Sequence, residues 1–555
     1  MLQIKYYRLV LPVLLFISIT VFAQHNTLSK PALQRPKLVI GIVVDQMRWD
    51  YLYRYYDRYR DGGFKRMLNE GFSCENTSVN YIPTYTAIGH SSVYTGSVPA
   101  IHGMAGNDFI IEATGKSLYC AGDSTVQTVG SSSPAGKMSP KNLLVSTITD
   151  ELKLATNFRS KVIGIALKDR AAILPAGHAA DAAYWLDDAT GNWISSTWYM
   201  QQLPSWVTKI NAEKLVENYL KQDWNTLYPL DTYVQSTTDN SKYEGKFKGA
   251  AAPVFPVKTS ELIKANGLGL IRSTPYGNTL TLNMAKAAIE NELLGKNIVT
   301  DFLTVSLSST DYIGHQFGIN SVEVEDTYLR LDRNFADFFT FLDEKVGKGN
   351  YTVFLTADHG GSHNPVFLAD NKLPGGLWNS PLFLNEINAL LQKKYGPARI
   401  VLSLINNQVH LNNTLIKEQH LDEQAIRKDC IDFFQQKEGI AWAIDMDSVA
   451  TANLPAVVKE RIINGYNRER SGIIQLVFKA GWYSGQSKTG TTHGSWNPYD
   501  SHIPCLWMGW GVKHGSTTRQ TYMTDIAPTI SALLHIQAPG GCIGEPIEEL
   551  LKPLF

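Results

Sequence analysis

The stretch FLTADHGG, residues 354–361, ends an apolar run on a carboxylate and an imidazole, Asp358 and His359, followed by Gly360 and Gly361. Such a pair can hold a metal ion if further ligands arrive from elsewhere in the chain. In STDYIGHQFG, Asp311 and His315 stand at i and i+4. On a helical turn these positions share a face, so both side chains can reach one cation. His493 lies among small residues in THGSWNP, and Asp45 closes the run KLVIGIVVD. Taken singly, each of these is also what a polar turn or surface loop offers. Thr86, in NYIPTYTAIGH, opens a small-residue stretch able to start a helix, where backbone N–H groups favour negative charge; its plain alternative is an N-cap. Lys168 and Arg170 flank Asp169 in ALKDR. On an extended backbone they face one way and Asp169 the other, a pair of cations suited to a dianionic phosphoryl group; a mixed-charge strand end is the alternative.

These residues need a scaffold that brings distant segments together. KLVIGIVVD, KVIGIALKDR, DFLTVSLSSTD and YTVFLTAD are continuous apolar runs, the mark of strands covered on both faces, and each ends on a chemically capable residue. Between the last two, Tyr328, Leu331, Phe335, Phe339, Leu342 and Val346 recur at helical spacing, with Gly347 as the stop. The pattern predicts an α/β fold with a mostly parallel central sheet and helices on both faces, its ligands binding beyond the carboxyl ends of the strands. Two stretches read as insertions: about 180–290, rich in Trp, Tyr, Asn and Gly and able to cap a site, and about 398–480, a small β-β-α-β pattern.

The 51 Lys and Arg balance 51 Asp and Glu, which gives no electrostatic argument for nucleic acid or an anionic membrane as partner. Lys5 and Arg8 precede an apolar stretch too short to span a bilayer, with Val21 and Ala23 placed for cleavage before Gln24. Residues 1–23 are therefore expected to be a signal peptide, with an uncleaved anchor as the alternative, and 24–555 a soluble, periplasmic or secreted catalytic domain. The five cysteines include no CxxC; one or two disulfides are compatible with export, with no pairing assigned.

Asp45, PTYTAIGH with Thr86, HGMAGND with Asn107, TDYIGH, TADHGG and THGSWNP follow one another in an order that resembles the alkaline phosphatase superfamily of two-zinc phosphohydrolases. With the Thr, Asn107 and LKDR, the chain is most similar to its periplasmic, phosphate-irrepressible alkaline phosphatases. The resemblance implies an alkaline-phosphatase-like core and two zinc ions per chain. Asp311, His315 and His493 would hold one, and Asp45, Asp358 and His359, completed by the Thr86 oxygen, the other. It further implies a phosphothreonine intermediate on Thr86, and phosphate contacts from Asn107, Lys168 and Arg170, the last two standing where other members keep a magnesium. The C/S-x-P-x-R context of the sulfatases is missing, and His90, His102, His363 and His502 match no ligand position. The expected activity is hydrolysis of varied phosphate monoesters by a chain taken as a monomer, with no specific nucleic acid partner and no membrane once the leader is removed. The alternatives are a nucleotide pyrophosphatase/phosphodiesterase-like or phosphonoacetate-type hydrolase and, from another class, a catalytically inactive zinc or phosphate binder.

Overall fold

The computed structural model describes residues 33–552; the expected signal peptide lies outside the described residues. In chain order, the principal sheet takes β1 (Leu38–Val44), β2 (Phe72–Cys74), β3 (Thr128–Val129), β4 (Val162–Ala166) and β5 (Ala182–Asp187). It continues with β6 (Asn192–Ser196), β7 (Asp301–Leu307), β8 (Tyr351–Thr356), β9 (Cys505–Gly509) and β10 (Gly515–Thr517). Across the sheet the order is β10-β2-β9-β8-β1-β7-β4-β5-β6-β3. The four apolar runs form the middle: β8, β1, β7 and β4 lie parallel, and β5 extends them in the same sense. Both flanks turn antiparallel, at β9 on β8 and at β6 on β5, so the sheet is mixed around a parallel centre. Every residue of β1, β4, β7 and β8 is buried, which is why these runs show no alternation.

Five helices pack around this centre or carry residues at its edge: α1 (Thr86–Thr95), α2 (Asp169–Ala176), α3 (Tyr276–Asn291), α4 (Ser309–Phe317) and α5 (Val322–Leu342). The Ser321 side chain accepts from Val324 N to cap α5, and Leu331, Phe335, Phe339 and Leu342 form its buried stripe. Val346 falls just beyond the helix, in the turn Asp343–Gly347. Gly164 in β4 lets α2 close on the sheet: a Cβ there would stand 2.2 Å from the Ala172 carbonyl oxygen.

Residues 182–196 supply β5 and β6 of the main sheet, and α3 packs against β7 and β4. Farther on, Val401–Ser403, Gln408–Leu411, Ile440–Asp445 and Ile474–Phe478 build a separate four-stranded antiparallel sheet. The helix Glu423–Gln435 packs on it, and Val409, Ile426, Phe434 and Ile474 share its own apolar cluster. All five cysteines are unbridged.

The turn after α2 is tied down electrostatically. Asp150 accepts from His178 Nδ1 at 3.0 Å and from Ala179 N at 2.8 Å. Burial works to raise the Asp150 carboxyl, but His178 and backbone donors hold it below its ordinary value; burial works to lower His178, but Asp150 raises it. The Asp150 contribution is lost as pH falls through its lowered pKa, and the His178 contribution as pH rises through its raised one. His178→Ala should therefore cost about 1 kcal/mol at pH 5.5 and less at pH 8.5, read by urea unfolding at both values.

Candidate active site

The carboxyl ends of β1, β7 and β8 open onto one place. Asp45 follows β1, Asp358 and His359 follow β8, and α4, one residue beyond β7, carries Asp311 and His315 one helical turn apart. His493 comes from a loop far along the chain. Two groups result, Asp45–Asp358–His359 and Asp311–His315–His493, each with ligand atoms close enough to hold a metal ion. The groups adjoin: the His359 and His493 rings stack with centroids 3.5 Å apart.

The donor atoms in the first group are bare. Asp45 Oδ1, Asp358 Oδ2 and His359 Nε2 are buried without a hydrogen-bond partner. His359 Nε2 lies 3.6 Å from Asp45 Oδ1 and 3.4 Å from Asp358 Oδ2. Ligands held tetrahedrally at ~2.0–2.1 Å from a zinc ion stand ~3.3 Å apart, so the spacing fits such an ion. In the second group His315 Nε2 is 3.1 Å and His493 Nε2 3.7 Å from Asp311 Oδ1.

All three imidazoles are oriented in the same way. Nδ1 of His315 contacts Thr491 O at 2.8 Å, that of His493 Thr84 O at 2.6 Å, and that of His359 Gly360 O at 2.9 Å. A carbonyl accepts only, so Nδ1 carries a proton in each and Nε2 is the ring nitrogen turned toward the acids. Burial and, for His493, the neighbouring imidazoles push His359 and His493 below the ordinary range, keeping them neutral.

The balance of charge is lopsided. Asp45, Asp311 and Asp358 are buried together, and the ammonium in contact with them is Lys168, whose Nζ lies 2.6 Å from both Asp45 Oδ2 and Asp311 Oδ2. Lys168 thus bridges the two groups. Burial and the charges of Asp311 and Asp358 drive the Asp45 carboxyl well above its usual value. Burial also works to raise Asp311, but His315 and Lys168 hold it well below. Three carboxylates facing one ammonium form a site that favours added cations.

Gln46, which no sequence motif singled out, locks this arrangement. Its Nε2 donates to Asp311 Oδ1 at 2.7 Å and its backbone N to Asp358 Oδ1 at 3.2 Å, from a left-handed conformation with φ 62°. A strained residue at a strand end fits a functional position, and its place directly after Asp45 was the available signal. Gly360 and Gly361 have another reason than a left-handed turn. They run alongside residues 499–500, and a Cβ on Gly360 would stand 2.2 Å from Tyr499 O.

Thr86 is the first residue of α1, after the extended Tyr85. The helix sits directly on Asp358: a Cβ on Gly89 would lie 2.5 Å from the Asp358 Cβ and carbonyl oxygen. His90, one turn after Thr86, contacts Asp358 Oδ2 at 3.4 Å and Ser306 Oγ at 2.8 Å. Asn107 Oδ1 accepts from Ala87 N at 3.0 Å, which leaves its amide N–H groups free to donate. The other histidines lie apart from the two groups: His102 against Ser92, His363 beside Arg48, and His502 on Glu75 O.

Lys168 and Arg170 do not share an extended strand, contrary to expectation. β4 ends at Ala166, only Lys168 is extended, and Arg170 is the second residue of α2, because the chain turns into the helix at Asp169. The two cations line one cavity of ≈630 Å³ with Tyr119 and Tyr312. Tyr119, which carried no sequence signal, donates to Asp169 Oδ1 at 2.5 Å and accepts from Arg170 Nη1 at 3.2 Å. Arg170 Nε is buried without an acceptor. Two more cavities flank the site: ≈620 Å³ beside His315, with Lys246, Gln316 and Tyr483, and ≈470 Å³ beside Asn107, with Tyr85, Leu384 and Asn406.

Gly89→Ala should force α1 away from Asp358. The expected cost is about 2 kcal/mol or more of stability, read by urea unfolding; unchanged stability would contradict the packing described.

Residues 39–500 match a family model described as type I phosphodiesterase / nucleotide pyrophosphatase. A Myroides odoratus protein named calcium-transporting ATPase is 60% identical, covering 96% of this chain and 97% of its own. Alkaline phosphatase PhoV of Synechococcus elongatus is 55% identical over 93% of each chain. Alkaline phosphatase PafA of Elizabethkingia meningoseptica is 50% identical over 94% of this chain and 95% of that one. A crystal structure of alkaline phosphatase PafA superposes with a TM-score of 0.92, covering 94% of this chain and 100% of that one. The chain belongs to the type I phosphodiesterase/nucleotide pyrophosphatase family, and within it stands with the alkaline phosphatases PhoV and PafA.

Proposed function

We propose that the protein is an exported, two-zinc alkaline phosphatase that releases inorganic phosphate from a broad range of small phosphate monoesters. The observation that carries this reading is the pair of adjoining metal-ligand groups with converging donor atoms, those of Asp45, Asp358 and His359 without hydrogen-bond partners, set beside Thr86 and an arginine whose Nε lacks an acceptor. Export rests on the N-terminal residues, and breadth of substrate on the roomy, polar-edged cavities around the site.

Asp311, His315 and His493 would hold one zinc, and Asp45, Asp358 and His359 the other, with the Thr86 oxygen as a further ligand. Carboxylates and imidazoles without thiolates suit zinc, and cobalt or manganese would also be accepted. When bound, the ions supply Lewis acidity to the entering and leaving oxygens of an in-line displacement. The Thr86 hydroxyl loses its proton to solvent and its oxygen bonds to phosphorus as the ester P–O bond breaks; the departing alkoxide takes a proton from water and leaves as the alcohol. Water then attacks the phosphothreonine, freeing phosphate and restoring the hydroxyl. The start of α1 favours the negative charge that develops there.

The other phosphoryl oxygens are met by Arg170, Asn107 and Lys168. Tyr119 holds one arm of Arg170 and so aims the guanidinium. Lys168 Nζ is held by Asp45 and Asp311; cations bound in both groups would take over the charge of those carboxylates and free the ammonium for substrate. A monoester dianion uses both cationic side chains; a diester carries one charge fewer and an extra ester group in their place. That asymmetry favours monoesters over the diesters named in the family description.

The deciding experiment is zinc analysis of the purified protein beside kcat/KM for an aryl phosphate and the matching bis-aryl phosphate. About two zinc per chain and a preference for the monoester are expected; preference for the diester would overturn the reading. Thr86→Ala should retain zinc and lose nearly all turnover, whereas an inactive binder would have none to lose. Arg170→Ala should lower monoester kcat/KM by at least ~10²-fold, as loss of a charge-stabilising donor does, and affect diesters far less.

A further inference from the structure

Two cysteines far apart in sequence come together across the sheet. Cys74 is the last residue of β2 and Cys505 the first of β9, more than 400 positions later. The two strands run antiparallel, with Phe72 opposite Trp507 and Ser73 opposite Leu506. The next rung of that register sets Cys74 directly against Cys505. Opposed residues of an antiparallel pair point to the same face, with Cα atoms ~4.5–5.5 Å apart, inside the ~4.4–6.8 Å that a disulfide spans. Trp507 Nε1 donates to Cys505 Sγ at 3.2 Å, which sets that sulfur on the face shared by Trp507, Phe72 and Cys74. Both cysteines are 1% exposed. Contact with the Cys505 thiol, then burial, drives the Cys74 thiol far above its ordinary value.

The place suits a covalent tie. β2 has three residues, and it alone joins β10, also of three residues, to the rest of the sheet. Cys505 in turn lies opposite Thr356, the last residue of β8 and two positions before Asp358. A bond from Cys74 to Cys505 fastens these short outer strands to the neighbour of the strand that carries Asp358 and His359.

We propose that Cys74 and Cys505 form a disulfide when the folding chain meets a disulfide-bearing oxidant, the unbridged thiols being its reduced form. The inference rests on the proposed export, since a reducing cytoplasm keeps such a pair open. One thiolate attacks a sulfur of the oxidant and releases one thiol. The thiolate of the second cysteine then displaces the other thiol from the mixed disulfide, so that two electrons and two protons pass from the pair to the oxidant. Both sulfurs are shut away once β2 lies on β9, and the exchange therefore belongs to folding.

The test compares two preparations: the chain without its leader, reduced in urea and refolded with zinc in oxidised and reduced glutathione, and the chain secreted with its leader. Each is unfolded with iodoacetamide present, digested, and analysed by mass spectrometry before and after reduction. Both should give a linked Cys74–Cys505 peptide pair, with Cys120, Cys430 and Cys542 alkylated. Refolding in glutathione should raise the thermal midpoint by about 3 °C or more over refolding with a phosphine reductant, because a tie between distant residues restricts the unfolded chain. Cys74→Ser and Cys505→Ser should each abolish that difference and leave zinc content unchanged. Five alkylated cysteines in the glutathione-refolded chain, or a link between another pair, would overturn the proposal. Should that chain fail to refold, five alkylated cysteines in the secreted chain overturn it instead. A link in the refolded chain alone would uphold the pair and count against export.

Discussion

Three carboxylates buried together at the ends of neighbouring strands are the constraint around which the rest is arranged. Asp45, Asp311 and Asp358 are shut away from water, and like charges at such range repel strongly in a medium of low polarity. Lys168 relieves part of the strain by touching two of them. The remainder explains why the proposed site takes divalent ions and why Lys168 can serve either the protein or a substrate. The parallel sheet makes this crowding unavoidable, since three adjacent strands deliver their ends to one point.

Rigidity around the acids comes mostly from the main chain. Thr491, Thr84 and Gly360 turn the three imidazoles through their carbonyl oxygens, and Gln46 grips Asp311 and Asp358 from a conformation that few side-chain-bearing residues adopt. A backbone carbonyl cannot be removed by point substitution, so most of the site's geometry is protected from single mutations. Gly89 is an exception: the space it leaves for Asp358 disappears with one methyl group.

Much of this was legible in the sequence for identifiable reasons. Unbroken apolar runs ending in Asp45, Asp311 and Asp358 forecast the parallel centre and the end at which the acids gather. The four-residue spacing of Asp311 and His315 forecast their shared face. The outer strands on the β9 side were not legible, because β2 and β10 are very short and β2, β9 and β10 pair across long stretches of sequence. Arg170 was placed near its partner on the wrong backbone, since nothing in ALKDR marks the onset of α2. Tyr119 carries no local pattern; only tertiary packing brings it to Arg170.

The two ligand groups close at different points along the chain. Asp45, Asp358 and His359 are all present once the eighth strand of the sheet has been made, whereas the other group waits for His493, which arrives with the loop before the ninth. A chain emerging from its N-terminus can complete one nest for a cation well before the second. The second group therefore cannot form until almost the whole polypeptide is in place.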